Sequence, residues 1–201
     1  MELTNDTYKT IESPSEGIFK DKGSKFISFA YPISNEEEIK PIITDLKKQF
    51  YDARHHCFAF RIGYQGEQFR ANDDGEPSST AGKPILGQLL SNEITNVIVV
   101  VVRYFGGTKL GVPGLINAYK NATIDALENA TIIEKTIDIH FNITFDYIVM
   151  NDVMKIIKDL SPNIIKQDFE LVCNMQLSIR KSESEQLREK LSKVTSLTIN
   201  D

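Results

Sequence analysis

Three short segments of this 201-residue chain concentrate the residue types that do chemistry. The first is Gly106-Gly107-Thr108-Lys109-Leu110-Gly111, which follows a valine-rich run ending at Arg103 and precedes a stretch of helical periodicity. In that setting backbone N–H groups and a helix N-terminus can cradle an anion, with Lys109 adding a point charge. Arg103, at the end of an apolar strand, must find a partner or a solvent-facing cleft, because burying a cation alone is costly. The spacing is neither GxGxxG nor a Walker loop, and a tight turn needing positive φ accounts for the same glycines. The second segment, Asp73-Asp74-Gly75-Glu76, puts three carboxylates in four residues ahead of Thr80. Such a cluster binds a cation, pairs with Arg and Lys, or is plain Asp-Gly turn chemistry; its spacing is not that of an EF-hand. The third, Arg54-His55-His56-Cys57, offers two imidazoles and a thiol. Strand alternation puts His55 and Cys57 on one face and His56 on the other, so zinc or His–Cys chemistry would need a further ligand. No GxSxG, HExxH, GxxxxGK[ST] or paired CxxC is present in the sequence.

These segments need elements to position them. Lys25–Tyr31 reads as a strand closed by Pro32, and Ser34 with Glu37 has capping-box spacing ahead of a helix carrying Ile39, Ile42, Ile43, Leu46 and Phe50, with Pro41 near its start. His55–Gly63 alternates as a strand with His56, Phe58, Phe60 and Ile62 on one face. A turn at Gln65-Gly66 leads to Glu67–Ala71, and Asn72–Pro77 is loop-forming throughout. Thr80–Leu90 predicts a helix of poor propensity, Asn96–Phe105 a central strand buried on both faces, and Leu115, Ala118, Tyr119, Ala122 and Ala126 one stripe of a helix. From Ile137 onward the order is β-α-β-β-α-β, with the middle turn placed at Gln167-Asp168 and a capping box at Ser182 and Glu185. That order is ferredoxin-like, so the expected domains are residues 1–133 and 134–201.

Composition narrows the partners. Twenty-three Lys and Arg against twenty-eight Asp and Glu leave a net charge of −5. Residues up to Ile133 hold fourteen basic against seventeen acidic side chains, and those from Glu134 nine against eleven. Any polyanion site must therefore be local. Cys57 and Cys173 fit no zinc or CxxC spacing, the first ten residues are polar, and the run Val97–Val102 is too short to cross a bilayer. A cytoplasmic location without membrane association is expected.

KGSKF (Lys22–Phe26), DARHHCFAFRIG (Asp52–Gly63), DDGEPSSTAGKPIL (Asp73–Leu86), VVVVRYFGGTKLG (Val99–Gly111) and GLINAY (Gly114–Tyr119) together resemble the IMPACT family, including its bacterial members of the YigZ type. The resemblance implies an α+β protein: a four-stranded sheet backed by helices, similar to a ribosomal-protein and elongation-factor module, then a ferredoxin-like domain, in the order of the last two domains of elongation factor G. Eukaryotic relatives regulate translation by competing for an activator of the starvation-responsive initiation-factor kinase. Three positions depart from the family pattern, with Pro113 and Ser79 where glycine is usual and Asn117 where arginine is common.

The resulting expectation is a regulator, not an enzyme, that needs no cofactor or metal and binds an anionic partner, RNA or a ribosome-associated factor. The candidate binding residues are Arg54, Arg61, Asp73, Asp74, Glu76, Thr80, Lys83, Arg103, Tyr104, Gly106, Gly107, Lys109 and Gly111. In this reading Arg103 and Lys109 face phosphate, Gly106 and Gly107 let the backbone approach, and Asp73, Asp74 and Glu76 orient cations, side chains or water. Two rivals come from other classes. One is a metal- or His-assisted phosphoester- or nucleotide-processing enzyme, with His55 or His56 as base beside Asp73 and Asp74 and a divalent ion as the metal, and the other is a pure protein–protein regulator.

Overall fold

A computed structural model of the chain describes residues 6–200, which form two compact units, one of Tyr8–Lys135 and one of the residues from Thr136 onward together with Asp6 and Thr7. The larger, from Tyr8, is built on β2 (Ser15–Asp21), β3 (Ser24–Pro32), α1 (Ile39–Gln49), β4 (His55–Ile62), β5 (Gln68–Asn72), α2 (Gly82–Ser91), β6 (Val97–Tyr104) and α3 (Gly111–Glu128). β1 (Thr7–Ile11) and β7 (Ile132–Thr136) pair with each other in a separate ribbon.

The main sheet runs β2-β3-β6-β4-β5, antiparallel throughout. α2 and α3 cover one face over Phe26, Cys57, Ala59, Val99 and Val101, and α1 covers the other over Phe29, Phe60, Ile98, Val100 and Val102. β6 is therefore central and apolar on both faces, which is why its valines run without alternation. The fold class is as the sequence implies, but the sheet has five strands where the resemblance implied four. The strand without a sequence signal is β2, whose first two inward positions, Ser15 and Gly17, are small, with Phe19 after them packed on the core. Ser15 Oγ donates to the Ala126 carbonyl at 2.7 Å, and a Cβ on Gly17 would lie 2.3 Å from the Ala126 nitrogen. At these two positions close approach of α3 excludes the large apolar residues by which a strand is read.

The second unit holds β8 (Asp138–Asp146), α4 (Met150–Leu160), β9 (Asn163–Phe169), β10 (Val172–Arg180), α5 (Lys181–Ser192) and β11 (Leu197–Asn200). Its sheet order β11-β8-β10-β9, antiparallel throughout, is ferredoxin-like. One face packs Phe141, Ile143, Phe145, Met175 and Leu177 against Val153, Ile157, Leu187 and Leu191 of the two helices.

Three local expectations shift. The β9–β10 turn falls at Glu170-Leu171, because Lys166–Phe169 stay paired to β10. α5 begins at Lys181 with no side-chain cap from Arg180, and Ser184, not Ser182, turns its hydroxyl back onto the Lys181 carbonyl. Ahead of α1, Asn35 accepts from the Glu37 N–H and Glu38 reaches back to the Ser34 N–H. Among the described residues no helix is long and apolar enough to cross a membrane.

Candidate functional site

Alternation along β6 sends Arg103 to the α3 side and Tyr104 to the α1 side. Arg103 is 7% exposed, and its Nη1 donates to Glu76 Oε1 at 2.6 Å. The same oxygen accepts from the Tyr119 hydroxyl of α3 at 2.8 Å. Behind Tyr119, the Cys57 sulfur lies 3.3 Å from that hydroxyl and 3.0 Å from the Asp73 carbonyl. Burial pushes both the Tyr119 phenol and the Cys57 thiol well above their ordinary ranges, so this line of groups holds its protons and the thiol is no nucleophile. The Arg103 guanidinium also sits 5.4 Å from the Phe26 ring centre and 5.7 Å from that of Phe105. A buried cation is thus matched to one carboxylate and two rings. This is the partner that its position demanded.

The carboxylates beside Glu76 have other duties. Asp73 accepts from the backbone N–H groups of Ser79, Ala81 and Gly82 at 2.8, 3.0 and 2.8 Å, closing the loop onto the start of α2. Asp74 accepts from the His56 N–H at 2.7 Å and from Lys47 Nζ at 3.1 Å. Its carbonyl lies 2.9 Å from His55 Nδ1. Three backbone N–H groups hold Asp73, and one backbone N–H with the Lys47 ammonium holds Asp74, so both carboxylates brace the loop. His56 is 5% exposed, and burial lowers its imidazole below the ordinary 6.5, against the pull of Asp74.

Above the Arg103–Glu76 pair opens a cleft of about 490 Å³. Arg54, His55 and Lys109 line it with the first residues of α3, Gly111 and Val112, whose helix terminus carries partial positive charge. Phe105, Pro77, Leu110 and Leu115 supply the apolar wall. Arg54 and Lys109 are exposed, and neither has a hydrogen bond or ion pair among the described residues.

The structure thus gathers Arg54, His55, Glu76, Arg103, Lys109 and Gly111 around one cleft. Other candidates lie elsewhere. Arg61 is six residues further along β4, about 20 Å away by strand rise. There its guanidinium donates to the carbonyls of Ile94 and Gln65, each at 2.9 Å, to close a turn. Tyr104 bonds Asp52 at 2.7 Å on the far face of the sheet. Lys83 is exposed on α2 and does not line the cleft. Thr80 is buried and donates to the Pro77 carbonyl at 2.6 Å, as a turn residue does. Gly106 answers to packing, since a Cβ there would lie 1.9 Å from the Gly23 backbone. Gly107 instead stands in the open with φ +87°. Tyr119 was legible only as one member of a buried stripe; its hydroxyl was the clue, since a buried phenol needs a partner. Of the departures, Pro113 occupies the first turn of α3, Asn117 is exposed on the same helix, and Ser79 holds left-handed backbone at φ 65°.

Comparison with known proteins places this geometry in a group. A model of the Impact N-terminal domain matches residues 22–127. The chain is 37% identical over 141 residues to the IMPACT family member YvyE of Bacillus subtilis (strain 168), covering 70% of this chain and 65% of that protein, just under two thirds of its length. It is 30% identical over 182 residues to the IMPACT family member YigZ of Escherichia coli (strain K12), covering 90% of this chain and 89% of YigZ. A crystal structure described as that of an hypothetical protein superposes with a TM-score of 0.74 at 28% identity, covering 96% of each chain.

Proposed function

Because the chain belongs to the IMPACT family, we propose that it is a regulator acting on translation, and that its first unit grips a phosphate-bearing partner, RNA of the translation machinery, in the cleft above Arg103. A cytoplasmic site of action goes with this reading. The observation that carries it is the pairing of two exposed, unmatched cations, Arg54 and Lys109, with the positive end of α3 over an apolar wall. Arg103 enters differently from the sequence expectation. Its charge is offset by Glu76, so it holds the cleft's floor while Arg54 and Lys109 meet phosphate. The His-based enzyme reading has less support, because the His56 ring is buried and His55 Nδ1 is engaged by the Asp74 carbonyl.

Fluorescence anisotropy with a labelled single-stranded RNA tests the reading. Two uncompensated cations predict a log–log salt slope of about −1.5, far shallower than for a strongly basic binder. Arg54→Ala and Lys109→Ala each weaken binding about fivefold with melting unchanged. Binding indifferent to both substitutions would remove the cleft from the function. Turnover of a nucleotide or phosphoester panel that vanishes in His55→Ala, at an unchanged melting temperature, would replace the regulator by an enzyme.

A further inference from the structure

The second unit ends its sheet on an edge strand, β9, whose seven residues are all exposed. They include Ile164 at 41%, Ile165 at 54% and Phe169 at 41% exposure. An apolar edge of this kind is a template for a further strand, which the single Lys166 guards against by its charge. The sequence of β9, Asn-Ile-Ile-Lys-Gln-Asp-Phe, changes the meaning of that guard. In an antiparallel pairing of β9 with a second β9 about a two-fold axis through Gln167, Lys166 of each copy faces Asp168 of the other, and Ile165 faces Phe169. Both contacts occur twice. A two-fold axis at Lys166 or Asp168 would instead set like charges together, and one between Lys166 and Gln167 would oppose Ile165 to Asp168.

The local structure suits this register. From Lys166 to Phe169 the ladder to β10 is regular; Gln176 pairs with Lys166 but Leu177 with Ile164, so Ile165 is the extra residue of a bulge, and the regular segment carries the two charged pairs while the apolar pairs stand at its ends. Lys166 and Asp168 pair with Gln176 and Asn174 and share with them the polar, helix-free face of the sheet. Their charged ends therefore stay hydrated while they cross-pair, and opposite charges directly across two strands are stabilising where like charges are not. We propose that β9 is a self-recognition strand through which two copies of this chain join their ferredoxin-like sheets into one eight-stranded sheet.

The test is a charge swap on the full chain, read by light scattering and sedimentation through the high-micromolar range. The unaltered protein dimerises. Lys166→Asp and Asp168→Lys, each placing two like-charge pairs across the axis, weaken the dimer about tenfold, and the double variant K166D/D168K restores it. Oxidative cross-linking reads the register independently. Gln167→Cys lies on the axis, so its two copies are directly opposed with Cα atoms about 4.5–5.5 Å apart, within the span a disulfide bridges, and they cross-link. Glu170→Cys, displaced by three residues on each strand, stays about 20 Å from its mate and does not. The native Cys57 and Cys173 are both buried and leave the readout clean. A chain that stays monomeric, or a dimer that ignores both charge reversals and the position of the cysteine, overturns the proposal. A monomer would leave the edge to a strand from a different protein.

Discussion

Two loops border the cleft of the first unit, and they use their polar groups in opposite ways. Between β5 and α2, Asp73 is held by three backbone N–H groups, Asp74 by His56 and Lys47, and Glu76 by Arg103 and Tyr119. Between β6 and α3, Phe105, Gly106, Gly107, Thr108 and Lys109 are exposed. Both are motif-like in sequence, one through its carboxylates and the other through its glycines. Charge density alone does not distinguish a loop that builds a site from one that presents it; the supply of nearby donors does. Asp73 meets the free N–H groups at the start of α2 and is consumed by them, whereas Lys109 makes no ion pair or hydrogen bond among the described residues.

The largest effect that separates the loops is at Glu76. Glu76→Ala leaves the Arg103 guanidinium buried without its counter-ion and the Tyr119 hydroxyl without its acceptor, so urea denaturation is expected to show a loss of about 3–5 kcal/mol. Lys109→Ala on the other loop is expected to stay within about 0.5 kcal/mol of the native protein, as exposed substitutions usually do. Equal stabilities for the two variants would erase the contrast. Asp73→Ala comes next, at about 2 kcal/mol, because three backbone donors lose one charged acceptor at a helix start. Asp73→Asn recovers part of that loss if hydrogen bonding, not charge, is the main contribution, and unfolding curves for the pair separate the two.

How much of this was legible follows the same division. β6 announced itself because a strand buried on both faces has no polar alternation to interpret, and β8 because one buried face gives strict alternation. β2 was hidden, since two of its three inward positions are Ser15 and Gly17, held close to α3, and Phe19 alone is no alternation. At the site, the need of Arg103 for a partner could be read from its place at the end of an apolar strand, and Glu76 was already among the acidic candidates. That Asp73 and Asp74 belong to the fold could not be read, because their donors are main-chain groups without a sequence signature. Tyr104 was separable in principle, since its neighbour Arg103 takes the opposite face of the strand. Arg61 was misplaced because type and charge do not reveal at which end of β4 a residue meets the cleft.

A pH experiment sharpens the comparison from the side of the closed loop. Burial lowers the His56 imidazole below its unfolded value of 6.5, so the unfolded chain takes up a proton before the folded one does. This contribution to stability is complete above pH 6.5 and declines as pH falls from there toward the lower folded value. His56→Gln removes that part of the slope, a smaller effect than either carboxylate substitution. Stability curves of the two proteins that stay parallel between pH 7 and the lower folded value would mean that His56 is not held neutral beside Asp74.

The smallest effect concerns Ser79. Its backbone sits at φ 65°, a left-handed conformation that costs a residue with a Cβ about 1–2 kcal/mol and glycine little. The Ser79 N–H donates to Asp73 at 2.8 Å, so the strain is held in place by the same carboxylate that secures the start of α2. Ser79→Gly keeps that bond and relieves the strain, at the expense of greater freedom in the unfolded chain. The net expectation is a gain of about 0.5–1 kcal/mol, read by thermal unfolding. The gain also depends on Asp73, because in an Asp73→Ala background the loop is no longer pinned and serine can relax without help. A double-mutant cycle therefore shows coupling, with Ser79→Gly stabilising the native protein and nearly neutral once Asp73 is gone. Equal gains in both backgrounds would mean that the turn, not the carboxylate, imposes the left-handed backbone, and the closed loop would then owe less to Asp73 than its three hydrogen bonds suggest.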